Sequence, residues 1–502
     1  MNKRNRRMVR IIAIVLVALL VGGVIVSALL SALAEESPLP RDRYEIEMSY
    51  DEANQALQVE QRLVYSNCTG ERLDRVVFNA AANLFRRESA LMYESDDLVA
   101  VFPAGFAPGG MQLQSVLVDG VEADYGFRDE NELQLRVACD LAPEASATFL
   151  FRYGLLLPTG GAFLGAGDED VRLCDFALVP GVYDAQYREF ILNKPLPFTR
   201  WLYADAADWR VQLTLPERYD LAAAGRVKRK DVADGKAVWE IEAEDVRAFA
   251  LCFGKRWRRA SLSTASGVAV EVLSSARDAG RVARIAAGAV AQCEAWFGDF
   301  PVDTLTFTQS DDPLGTLNYP GCVLLPSRLF ERASAEELKR RIRFCVAQQY
   351  FGLAAYAEPS ADAWLSDSLC AYLSYWMLEA EEGRDAFLKA VNRDWVSALQ
   401  LTIPGGLTVT SDAGLFDGEK YDIVVRRRGA VVFHELRQAM GDEPMLAGLR
   451  AFYALGRAGG TLTEMDLVHC LDGASGRSWE AFLTDWAFHV GDYVNQTIDW
   501  FE

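Results

Sequence analysis

Histidine is almost missing from this 502-residue chain: the three present, His434, His469 and His489, stand at intervals that form no His-x-x-x-His pair. Two imidazoles four residues apart on one helix face, the common frame for a catalytic zinc ion, are therefore excluded. The nine cysteines are odd in number and widely spaced, and no two form a C-x-x-C pair. Zinc knuckles and dithiol redox motifs are absent with it, and apolar settings such as Leu251-Cys252-Phe253 suit small buried hydrophobes. No repeat, collagenous period or low-complexity tract interrupts a globular composition. Basic residues are in deficit, 51 against 71 acids, giving a formal net charge of −20. A surface that acidic repels phosphate backbones, which removes nucleic acid as a partner.

The cations that exist are unevenly placed. Lys3, Arg4, Arg6, Arg7 and Arg10 crowd the first ten residues, and from Ile11 to Ala34 there is no charge at all. Twenty-four apolar and small residues are enough to cross the roughly 30 Å hydrocarbon core as a helix. The basic cluster before them predicts a cytoplasmic N-terminus, 1–10, a transmembrane helix, 11–34, and a bulk that is extracytoplasmic on a single-pass anchor in the cell membrane. Ala32-Leu33-Ala34 has the small-x-small form of a signal-peptidase site, the rival reading; the length of the apolar run favours the anchor.

After a polar linker, 35–42, the pattern alternates with period two in Tyr44–Met48 and Leu57–Tyr65, and again near residues 116–118, 132–137, 147–153, 209–215 and 237–242. This predicts an antiparallel β domain over 43–256. Beyond Trp257 the spacing turns helical. Helices are expected over Ala276–Phe297, from the S-x-x-E capping box Ser334/Glu337 to near Glu358-Pro359, over 362–382 up to Gly383, and at 384–400, 422–440, 443–455, 463–471 and 478–488, with a strand at Val302–Thr308. A chain this long exceeds one ordinary core, so 257–502 is read as a second, mostly helical domain.

Within it, Val346-Ala347-Gln348-Gln349-Tyr350-Phe351-Gly352 resembles the end of the H-E-x-x-H-Q-W-F-G zinc helix of the membrane alanyl aminopeptidase family of gluzincin metallopeptidases. The register lays Phe344 on the first histidine, Cys345 on the glutamate base and Gln348 on the second histidine. After the family's gap of eighteen residues, Trp364-Leu365-Ser366-Asp367-Ser368 resembles W-L-N-E-G and puts Asp367 at the third ligand. Gly315-Thr316-Leu317-Asn318-Tyr319-Pro320-Gly321 resembles the strand that holds a substrate's amino terminus, with Asn318 in place of its glutamate. Tyr421 to Ala430 resembles the stretch of the catalytic tyrosine, where Arg426 falls.

The resemblance runs over residues 43 to 490 and implies an α+β multidomain fold, a β saddle or sandwich followed by a thermolysin-like helical domain. It also implies a cleft lined by Asn318, Tyr319, Phe344, Cys345, Gln348, Asp367 and Arg426, and zinc as the family's cofactor. Phe344 offers no lone pair and Gln348 only a neutral carbonyl, so no metal site and no catalytic residue are expected here. Arg426 in the tyrosine's place would turn ligand preference toward carboxylates, and the amide of Asn318 could bind a ligand directly.

The reading that follows is a catalytically silent aminopeptidase-like ectodomain that binds a peptide or protein or serves as a partner subunit at the cell envelope. Relatives of this fold that accompany transport-type membrane proteins make a membrane transport partner one form of it. An active hydrolase using Asp367, Cys345, Asp311 or Asp312, with another metal, is the alternative; a purely structural envelope protein is the third.

Overall fold

A computed structural model describes residues 41–489 apart from 192, 233 and 404. The expected anchor, 11–34, lies outside them, and among the described residues no helix is long and apolar enough to cross a membrane.

The first half is β-rich. Eight strands form one sheet in the order Arg226–Val232, Lys236–Val246, Ala207–Pro216, Asp42–Asp51, Ala56–Ser66, Ser146–Leu156, Gly110–Val118 and Val121–Glu122. Along Asp42–Asp51 buried and exposed residues alternate, as a sheet with one face on a core requires. The sheet is not wholly antiparallel as expected: Asp42–Asp51 runs parallel to Ala207–Pro216, which brings Tyr44 opposite Trp209. Their rings stack at 3.7 Å, a contact that fixes this long-range register.

A second sheet, in the order Tyr219–Ala223, Ala250–Lys255, Asp170–Cys174 and Leu164–Ala166, is invisible to a period-two search. Asp170–Cys174 is buried at every position, so no alternation marks it. Two of those buried residues are charged. Arg172 pairs with Asp170, and it also donates to the carbonyls of Ala162 and Gly160, 2.6 Å each. Asp170 in turn accepts from the Asp311 backbone at 3.1 Å, and Asp311 from that of Glu169 at 2.8 Å. These bonds tie the β-rich half to the strand Thr304–Ser310 of the other.

That other half opens with a five-stranded sheet in the order Arg258–Ser263, Ala269–Ser274, Thr304–Ser310, Cys322–Pro326 and, antiparallel at the edge, Leu317–Tyr319. Helices cover it: α1 (Ala279–Phe297), α2 (Ala335–Tyr350), α3 (Ala363–Glu382) and α4 (Gly429–Met440) carry its core. Ser334 caps α2 as its sequence predicts, accepting from the Glu337 backbone at 3.1 Å. The helix then stops at Tyr350, earlier than the expected Glu358, because Gly352 turns with φ +126°. A side chain there would also meet Ser366 Oγ at 2.1 Å, so only glycine lets α2 end so close to α3. The stretch expected as one helix from 422 is a π-helix, Asp422–Arg428, followed by α4.

Glu435 on α4 is 3% exposed and its Oε1 has no hydrogen-bond partner among the described residues. Burial pushes its carboxyl up to about 8 from an ordinary 4.5. Between those values the folded chain holds a proton that the unfolded chain releases. The group's contribution is therefore complete below the lower value and falls with rising pH by up to about 1.4 kcal/mol per unit. Glu435→Gln should flatten the decline of the urea midpoint from pH 5 to 8 relative to wild type; parallel curves for the two proteins would refute it.

Candidate functional site

Four elements bring the motif residues together. α2 carries Phe344, Cys345, Gln348 and Gln349; α3 carries Asp367; the edge strand carries Asn318 and Tyr319. α4 begins against α3, since Ser368 Oγ donates to the Val425 carbonyl at 2.6 Å and a Cβ on Gly429 would strike that hydroxyl. The π-helix before α4 supplies Arg426. Together with Phe198, Thr199 and Arg200 of the β-rich half, these residues line a cleft of about 750 Å³ that includes every expected cleft residue.

Its floor is a chain of hydrogen bonds with one direction. Gln349 accepts from the Gly321 backbone at 2.9 Å and donates to Asn318 Oδ1 at 2.8 Å. Asn318 Nδ2 donates to Gln348 Oε1 at 3.0 Å, and Gln348 Nε2 donates to Asp367 Oδ1 at 2.9 Å. The other carboxylate oxygen, Asp367 Oδ2, receives Arg426 Nη2 at 3.0 Å, Arg426 Nε at 3.2 Å and the Tyr421 hydroxyl at 3.1 Å. Burial, then the neighbouring Asp367, pushes the Tyr421 phenol well above its ordinary value, which keeps it a donor.

Two expectations are corrected by this geometry. Arg426 is not a free cation awaiting a ligand: it pairs with Asp367 and donates to the Phe198 carbonyl at 2.5 Å. Burial works against its charge, but Asp367, Tyr421 and Asp422 together outweigh that and raise its pKa. Asn318 is not free either, because Nδ2 also donates to the Cys345 carbonyl at 3.0 Å and both its amide hydrogens are spent.

The donor set does not fit zinc. Phe344 has no donor atom and lies between two guanidiniums, Arg341 at 6.0 Å and Arg426 at 5.7 Å from its ring centre. Gln348 and Asp367 face each other as donor and acceptor, and a metal between them would have to break the pair. The Cys345 thiol is pushed up to about 12 by burial, against the pull of Arg341 and Arg426, so it is a poor nucleophile or ligand near neutrality. Asp311 is held by the Glu169 backbone, and Asp312, raised to about 6 by burial, lines the cleft from the β-strand side. Among the described residues no group of three His, Cys, Asp or Glu side chains is placed to hold a metal ion.

Tyr421, Thr199 and Arg341 escape the sequence reading. Tyr421 and Arg426 reach the same carboxylate because hydrogen bonding to the fifth residue widens the turn between them and sets residues five apart on one face. Thr199, 3.4 Å from Asp367 Oδ2, comes from a loop with no periodicity.

No family model matches the chain. Over 187 residues, 35% of this chain, it is 26% identical to an aminopeptidase N of Lactococcus lactis subsp. lactis; the match spans 21% of that protein. An M1 zinc metallopeptidase from Deinococcus radiodurans superposes with a TM-score of 0.62 at 16% identity, covering 89% of this chain and 93% of that one. A glutamate-to-alanine mutant of that metallopeptidase bound to a Tyr-Ser-Ala substrate superposes with a TM-score of 0.63 at 17% identity, with the same coverage. At these identities the superpositions establish the fold.

A buried carboxylate stripped of its cation is costly, so Arg426→Met should destabilise the fold by about 3–5 kcal/mol. Adding Asp367→Asn to that variant should recover part of the loss, with a coupling energy of about 1–3 kcal/mol in a double-mutant cycle. Urea unfolding of the four proteins measures it; additive effects would show that the pair does not hold the cleft floor.

Proposed function

We propose that this chain, similar to M1 zinc metallopeptidases in fold and to an aminopeptidase N over a stretch of sequence, is a catalytically silent member of that family whose cleft binds a peptide or protein instead of cleaving it. One observation carries the reading: the positions where such an enzyme holds its metal are wired to one another, Gln348 to Asp367 and Asp367 to Arg426 and Tyr421. Zinc hydrolysis needs an open coordination position with a bound water and a nearby base. Here the base position is a buried thiol and the metal position is crossed by a hydrogen bond.

The cleft keeps a volume of about 750 Å³, within the range of small-ligand sites. The tripeptide in the Deinococcus radiodurans structure supports a peptide as the class of ligand. We further propose that residues 11–34 anchor the protein in a membrane with the cleft on the extracytoplasmic side, where it serves as a binding protein or as a subunit of a membrane transport assembly.

The full-length chain purified in detergent without chelator should contain well under one zinc per molecule and show no chelator-sensitive aminopeptidase activity. Stoichiometric zinc, lost together with activity on chelation, would overturn the reading. Combining Phe344→His, Cys345→Glu, Gln348→His and Asp367→Glu should raise zinc content toward one per chain. Protease added to intact cells should digest the protein; full protection would place its bulk in the cytoplasm and contradict the anchor's orientation.

A further inference from the structure

Behind Phe344 lies a second, smaller cavity of about 170 Å³, and its walls run against the character of the protein. Four arginines, Arg340, Arg341, Arg426 and Arg427, line it with only two carboxylates, Glu337 and Asp422, in a chain whose net charge is −20. Three of those arginines already have a carboxylate. Arg340 donates to Asp394 at 2.5 Å, Arg426 pairs with Asp367 at 3.0 Å and Arg427 pairs with Asp422 at 2.7 Å. Glu337 accepts from Arg328 at 3.2 Å.

Arg341 differs. Among the described residues no carboxylate stands within ion-pair distance of it: its guanidinium lies 6.0 Å from the Phe344 ring centre, and Asp422 acts on it only from farther away. Burial, joined by Arg426 and Arg340 and opposed by Cys345 and Asp422, lowers its pKa, a net direction that marks an arginine short of a counter-charge. A half-buried cation left that way is unfavourable unless something supplies the missing charge. A planar fork of N–H donors suits two oxygens of one oxyanion. The cavity has room for such a group, being several times the roughly 30 Å³ share of a liquid water. Arg341, Phe344 and Arg426 also line the main cleft, so the cavity adjoins it.

We propose that this cavity is an oxyanion site in which Arg341 is the principal ligand, taking a phosphate or carboxylate group that replaces its missing counter-ion. The other three arginines supply the surrounding positive field and keep their own partners. The site goes beyond the reading of the cleft as silent and stands whether or not the cleft binds peptides.

Calorimetric titration of the full-length chain in detergent with inorganic phosphate, with acetate and with chloride at matched ionic strength tests it. One saturable site for phosphate or acetate, above any response to chloride, is expected, and the tighter of the two identifies the group. Arg341→Gln should weaken that binding at least about tenfold, and Arg341→Lys, which keeps charge but loses the fork, by less. Arg72→Gln, at an exposed pair with Asp140 far along the chain, should leave it unchanged. No saturable binding of either anion, or binding that Arg341→Gln does not weaken, overturns the proposal. Should Arg341→Gln fail to fold, an affinity for Arg341→Lys equal to wild type overturns it instead.

Discussion

The buried carboxylate of Asp367 is the constraint on which the site depends. At 3% exposure it has almost no water to solvate it, so its charge must be met by protein groups, and Arg426, Tyr421, Gln348 and Thr199 all turn toward it. That demand propagates. Gln348 can donate to Asp367 only if its carbonyl takes a donor from the other side, and Asn318 provides one; Asn318 then needs a donor of its own, which is Gln349. The amide orientations follow from the two fixed ends, the Gly321 N–H and the Asp367 carboxylate. A network satisfied at each step is rigid, since reversing one amide leaves two neighbours unpaired.

The same network requires four pieces of chain to approach closely. Gly352 and Gly429 allow it: at each a side chain would strike a serine hydroxyl of α3 at 2.1 Å. From the β-rich half, the loop through Phe198 reaches over to accept from Arg426. Its own position is held by the aromatic and ionic ties between the halves. Arg200 lies over the Tyr319 ring at 5.2 Å, and the Tyr319 hydroxyl donates to Asp175 at 2.9 Å. The cleft is thus bound to both halves at once.

Charge is distributed against the average of the molecule. An acidic chain gathers arginines on α2 and the π-helix, where Arg340, Arg343, Arg426 and Arg427 pair with carboxylates and Arg341 forms no ion pair among the described residues. Beside Asp367 the positive charge is supplied by the Arg426 guanidinium. That pair, with the Tyr421 hydroxyl, meets the charge of Asp367 inside the protein.

The sequence alone determined the strands that alternate, the Ser334 cap, the stop of α3 at Gly383 and the register that set Phe344, Cys345, Gln348 and Asp367 beside Asn318. The strands and the helix ends are local, where period and cap chemistry are legible; the grouping around Asn318 spans two helices and a strand and was implied by the family resemblance. The uniformly buried strand Asp170–Cys174, the parallel pairing of Asp42–Asp51 with Ala207–Pro216 and the early end of α2 were decided by packing between distant segments. So were the state of Arg426 and the part played by Tyr421. A guanidinium's partner depends on which carboxylate the fold brings within 3 Å, and a π-helical turn arises from tertiary contacts that no propensity scale registers.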